Sequence, residues 1–129
     1  MASASSMPPM LRLDRSSQSG AKAMAAAYAV AYTEDSTQAF LFSGANIDLS
    51  TMAAADVIDI RIRKVVILGG GWVNHDEVEY ADAQPTGHPS ISIAGIANIY
   101  GIEISMRQTA GVLRTIPCEF FDAKRLGLA

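Results

Sequence analysis

Asp56-Val57-Ile58-Asp59-Ile60-Arg61-Ile62-Arg63-Lys64-Val65-Val66-Ile67-Leu68 is the stretch that decides the fold. Ile58, Ile60 and Ile62 alternate with Asp59, Arg61 and Arg63. Side chains on a strand point to opposite faces in turn, so this alternation predicts a strand with one buried face and one wet face. From Val65 to Leu68 it gives way to an unbroken apolar run. Either that end is covered on both faces, or a bulge near Lys64 shifts the phase. Gly69-Gly70-Gly71 then ends the strand in a turn that glycine enters without a Cβ clash.

The same period recurs on both sides. Tyr100, Ile102, Ile104 and Met106 share one face, opposite Glu103, Ser105 and Arg107. Val78 and Tyr80 alternate with Glu77 and Glu79, and Ile91 and Ile93 with serines. Val112–Ile116 reads as a short strand ended by Pro117. Upstream, Tyr28, Val30 and Tyr32 share a parity and Phe40 and Phe42 continue it, which suggests a hairpin with its loop over Thr33–Thr37. Alanine-rich 21–27 leaves helix as the alternative there. Asp48 or Ser50 is a candidate cap for a short helix over Thr51–Ala55. About six or seven short strands with regular turn signals predict a mainly β fold, an antiparallel sandwich or barrel-like body. Residues 1–20, MASASSMPPMLRLDRSSQSG, have no sustained period and carry Pro8-Pro9. They read as an extended N-terminal arm on a single domain over 21–129 that closes with a docking tail.

At 129 residues the chain is long enough for one core. Only 18% of residues are charged while 50% are hydrophobic, which excludes disorder over most of its length. The net charge of −3 argues against a nucleic-acid binder held by bulk charge. Ala21–Tyr32 is too short to cross about 30 Å of hydrocarbon, so no membrane partner is expected. Cys118 is the single cysteine and excludes a disulfide framework; it reads as a small buried apolar residue.

No catalytic, cofactor or metal residue is assigned, and the chain is not expected to be an enzyme. The triple glycine lacks the lysine and helix of a phosphate-binding loop. His75, Asp76, Glu77, Glu79 and His88 are ligand types for a divalent ion. On a strand, however, His75, Glu77 and Glu79 share a face that Asp76 leaves. No serine has a nucleophile-elbow context. Arg61, Arg63 and Lys64 form a basic stripe without the stacking aromatics of a single-strand binder.

Scarce charge and apolar ends imply that another chain covers part of the surface. Met7, Met10, Leu11 and Leu13 on the arm, Arg61, Arg63 and Lys64 on the body, and Phe120 and Phe121 near the tail are the expected partner contacts. The arm, the strands DVIDIRIRKVVIL and ANIYGIEISM, and the tail CEFFDAKRLGLA together resemble the organisation of the capsid decoration, or cement, proteins of tailed bacteriophages. That resemblance implies a virion structural protein on the outer capsid surface. It would be a trimer or dimer that clamps neighbouring major capsid subunits. A tail-tube or head-completion component is the alternative within that class. Outside it stands a small oligomeric β-barrel enzyme or ligand-binding module with a pocket gathering Trp72, His75, Tyr80 or Tyr100.

Overall fold

The computed structural model describes residues 14–35, 39–85, 87 and 89–125. In chain order its strands are β1 (Gly20–Ala23), β2 (Ala29–Glu34), β3 (Phe40–Phe42), β4 (Ala45–Asp48), β5 (Val57–Val65), β6 (Trp72–Ala81), β7 (Ser90–Ile93), β8 (Ile96–Asn98), β9 (Ile102–Ala110), β10 (Thr115–Phe120) and β11 (Lys124–Arg125). They form three antiparallel sheets, ordered β1-β10-β4-β7, β2-β9-β5-β6 and β11-β3-β8. The sheets pack together as a mainly β sandwich, as the alternation predicts.

The core follows from strand parity. Ile58, Ile60 and Ile62 of β5 and Ile102, Ile104 and Met106 of β9 point inward from one sheet. Ala45, Ile47, Ile116, Cys118 and Phe120 point inward from the other, and Phe40 and Phe42 close the end. Fully burying one such side chain is worth about 1.5–3 kcal/mol. Tyr32 ties the three sheets together, its ring centroid 5.0 Å from that of Phe42 and 5.2 Å from that of Phe120. Burial pushes its phenol up to about 12; Glu34 and Asp122 add to the shift and a backbone hydrogen bond at Ala123 opposes it. Cys118 Sγ lies 3.8 Å from Met106 Sδ across the layers, in the apolar place expected of it.

Several local expectations are overturned. The strands outnumber the six or seven expected, because segments of two to four residues also pair. Thr51–Ala55 is turns, not helix. Asp48 Oδ1 accepts the Ser50 N–H at 2.9 Å and Asp56 Oδ2 accepts the Ala53 N–H at 2.9 Å, so side chains satisfy donors that a helix turn would have used. β2 and β3 do not form a hairpin: β2 pairs with β9, while β3 pairs with β8 and β11. The shared parity misleads because a bulge between Val30 and Tyr32 reverses it, leaving Val30 exposed and Ala31 and Tyr32 both buried. β10 runs through Pro117 to Phe120. Pro117 faces Ala21 of β1, and pairing with β4 starts only at Cys118, so the ladder tolerates the missing N–H.

The body also begins earlier than residue 21. The Ser16 N–H donates to the Phe120 carbonyl at 2.8 Å, and Lys124 Nζ pairs with Asp14 Oδ2 at 2.6 Å. Met7, Met10, Leu11 and Leu13 lie outside the described residues, as do Leu126 and Leu128. The tail docks on its own chain through the β11–β3 pairing.

Candidate interaction site

β6 is the edge of its sheet, and its pairing with β5 places each side chain. Arg61 faces Glu77 and Asp59 faces Glu79 on the outside, while Ile60 faces Val78 and Ile62 faces Asp76 on the inside. The register shifts between Ile62 and Arg63, so His75 is the extra residue of a bulge. The bulge thus lies on β6 rather than near Lys64. It also takes His75 out of the face expected for it: His75 and Asp76 stand together on the inner rim, and Glu77 and Glu79 face the other way. Among the described residues no three His, Cys, Asp or Glu side chains are placed to hold a metal ion.

Across from the inner face of β6 runs β7, the edge of the other sheet. Between these two open edges lies a groove of about 310 Å³. Its walls are Ile60, Ile62, Val78 and Tyr80 on one side and Ile91, Ile93 and Ile96 on the other. It gathers His75 and Tyr80 of the aromatic and imidazole groups expected around a pocket, but not Trp72 or Tyr100. Burial, followed by the Asp76 charge, raises the Tyr80 pKa.

The outer face of the β2-β9-β5-β6 sheet is not the wet surface that its charges predict. Glu103 is 7% exposed; its Oε1 accepts from Arg63 Nη2 at 2.7 Å, Arg63 Nε at 2.9 Å and Ser105 Oγ at 2.9 Å. Asp59, also buried, accepts from Arg107 Nε at 2.8 Å. Tyr28 roofs this layer. The guanidinium carbons of Arg61 and Arg107 lie 3.9 Å and 4.4 Å from its ring centroid, and its hydroxyl donates to Glu77 Oε1 at 3.1 Å. Burial first, then the Glu77 hydrogen bond, raises the Tyr28 pKa. Hence Arg61 and Arg63 are engaged within the chain and do not form a free basic stripe. Lys64, at the end of β5, is half-buried opposite Ile102 and Val73.

The apolar run after β5 is the opposite surprise. Val66, Ile67 and Leu68 are 55%, 67% and 81% exposed, instead of covered on both faces. Gly69 makes the turn at φ 74°, and Trp72 and Val73 return beside them, both exposed. The β5–β6 hairpin tip is therefore an apolar knob. Ile99 is exposed too. Of the tail contacts, Phe120 is 0% exposed and cannot meet a partner; Phe121 is half-buried and bridges Arg15. Sequence reasoning passed over the knob and Ile91 and Ile93 as contact residues. The signal for the knob was present: an apolar run that ends in three glycines has no neighbouring segment obliged to cover it.

No family profile matches the chain, no curated protein resembles it, and no solved structure is similar to it.

Proposed function

We propose that the chain is a non-catalytic structural subunit that works by joining other molecules, as a capsid decoration protein on the outer surface of a virion. The observation that carries the joining role is the open side of the sandwich. A ten-residue edge strand borders an apolar groove, and the hairpin that carries it ends in an apolar knob. Open strand edges are templates for another chain, and contiguous exposed apolar surface marks an interaction site. The placement on a capsid rests on the sequence resemblance.

In this reading the partners are the major capsid protein and other copies of the chain. A standard interface buries on the order of 1,600 Å² and is offset by the ordering of mobile segments. Repetition around a shell adds such contacts through avidity. The test is sedimentation of the full chain, alone and with expanded capsid shells. The expected result is a dimer or trimer that co-sediments with the shells. A monomer that stays in the supernatant overturns the reading.

The groove favours a second reading, a module for a small apolar ligand, since ligand pockets begin near about 300 Å³. Saturable uptake of a fluorescent apolar dye, lost in Val78→Asp, is the result that favours it.

A further inference from the structure

The β6–β7 groove has the apolar walls and charged outer face of a seat for an added strand, and the segment Met10–Leu13 matches it in pattern and charge. We propose that residues 10–13 of a second copy, Met10-Leu11-Arg12-Leu13, pair with the open edge of β6 and fill the groove. This deepens the assembly reading above and rests on it. On a strand, Leu11 and Leu13 fall on one face and Arg12 on the other. With the leucines turned in toward Val78, Tyr80, Ile91 and Ile93, Arg12 stands on the face that carries Glu77 and Glu79.

Charge tells this occupant apart from another β6. Two copies of β6 paired edge to edge would bring Glu77 and Glu79 of each against those of the other. They would also press Asp76, on the inner face, into the groove. An inward-pointing charge and like charges across a pair are devices that block such pairing. A basic, apolar segment meets neither obstacle.

Geometry points to a second copy rather than the chain's own segment. Asp14 begins the described body toward the opposite edge of the sheet that ends in β7. Arg15 bridges Phe121, the Phe121 N–H donates to the Gly44 carbonyl at 3.0 Å, and a Cβ on Gly44 would stand 2.8 Å from the Ile93 carbonyl oxygen. These steps span three strand spacings of about 4.8 Å each, or roughly 14 Å. Residues 10–13, at about 3.3 Å each, would be spent on that crossing. The chain's own groove would then receive Pro9, Pro8 and Met7, followed by serines and alanines, and not the leucines. A neighbour's segment arrives with Leu11 and Leu13 free.

The test uses full-length chains. One carries Leu11→Cys and another Val78→Cys; they are mixed and mildly oxidised. Cys118 is buried, and burial pushes its thiol up to about 11, so it stays out of the exchange. A disulfide-linked heterodimer is expected, absent when either substitution is omitted. In parallel, Arg12→Glu should weaken self-association on the order of tenfold, and Glu79→Arg should restore it. A chain bearing both cysteines that closes only on itself overturns the proposal in favour of the chain's own segment. No cross-link in a protein that still sediments as an oligomer overturns it while leaving the assembly reading intact. No cross-link in a monomer overturns both.

Discussion

β6 and β9 are nearly the same length, ten and nine residues, and both alternate apolar with charged side chains, yet they live in opposite surroundings. β9 lies between β2 and β5, and from Ile102 to Ser105 it is buried on both faces. β6 has β5 on one side only, and almost every residue is exposed. A strand's burial is therefore set by its place in the sheet and by what roofs it, more than by its own pattern. For β9 the roof over the polar face is Tyr28 and the paired arginines; over β6, among the described residues, Tyr28 reaches only to Glu77 through its hydroxyl, and Glu77 stays exposed.

The sharpest way to break this contrast is the same charge placed on the inward face of each strand. Ile104→Asp should unfold the body, because a buried carboxylate would lack a partner. Val78→Asp on β6 should cost under about 1 kcal/mol in the isolated chain, since water reaches that face. Urea unfolding followed by circular dichroism measures both, and equal losses would erase the distinction.

A smaller difference is expected on the outer faces. Glu103→Ala strands Arg63 and Ser105 and should cost on the order of 2 kcal/mol, whereas Glu79→Ala should change stability by less than about 0.5 kcal/mol. Denaturant midpoints compare the two directly.

Acid offers a third probe, on the end of β9. The Arg114 guanidinium and then the Ala53 N–H hold the Asp56 carboxyl below its usual value. The folded state thus binds this proton less readily than the unfolded chain does. Its stabilisation is present above the ordinary carboxylate range and is lost as pH falls through the lowered value. Asp56→Asn should be less stable than the native chain near neutral pH and should lose less between about pH 4 and pH 2. Parallel curves over that window would remove Asp56 from the acid response. The site also explains Gly111: at φ 85° it packs where a Cβ would collide with the Asp56 carboxylate, so Gly111→Ala should destabilise the same corner.

The smallest effect on stability belongs to the knob. Leu68→Ser should move the unfolding midpoint by less than the equivalent of about 0.5 kcal/mol. Under the proposed joining role its readout is binding: co-sedimentation with shells should fall while the fold stays intact.

How far these properties could be read from the residues varies by element. β5 and β9 were legible because their isoleucines hold one parity through the buried stretch. β2 misled because the bulge at Ala31 switches faces, and nothing in AVAY announces it. His75 was placed with Glu77 and Glu79 for the same reason, since one extra residue reverses the order of everything before it. The basic stripe looked free because its partners, Glu103 and Tyr28, are distant in the chain and meet it only once β9 and β2 are in place.

The order of residues alone determined that this chain makes strands and that Ile58, Ile60, Ile62, Ile102 and Ile104 take the buried faces of two of them. Those follow from local sterics and from the period of two, which neighbouring residues carry by themselves. Tertiary structure decided which strands became centre and which became edge, that Asp59 and Arg63 of β5 are ion-paired within the molecule while Arg61 stacks on Tyr28, and that Val66–Leu68 face water. The physical reason is that cover comes from residues far along the chain, and one strand's sequence holds no record of which distant segment will reach it.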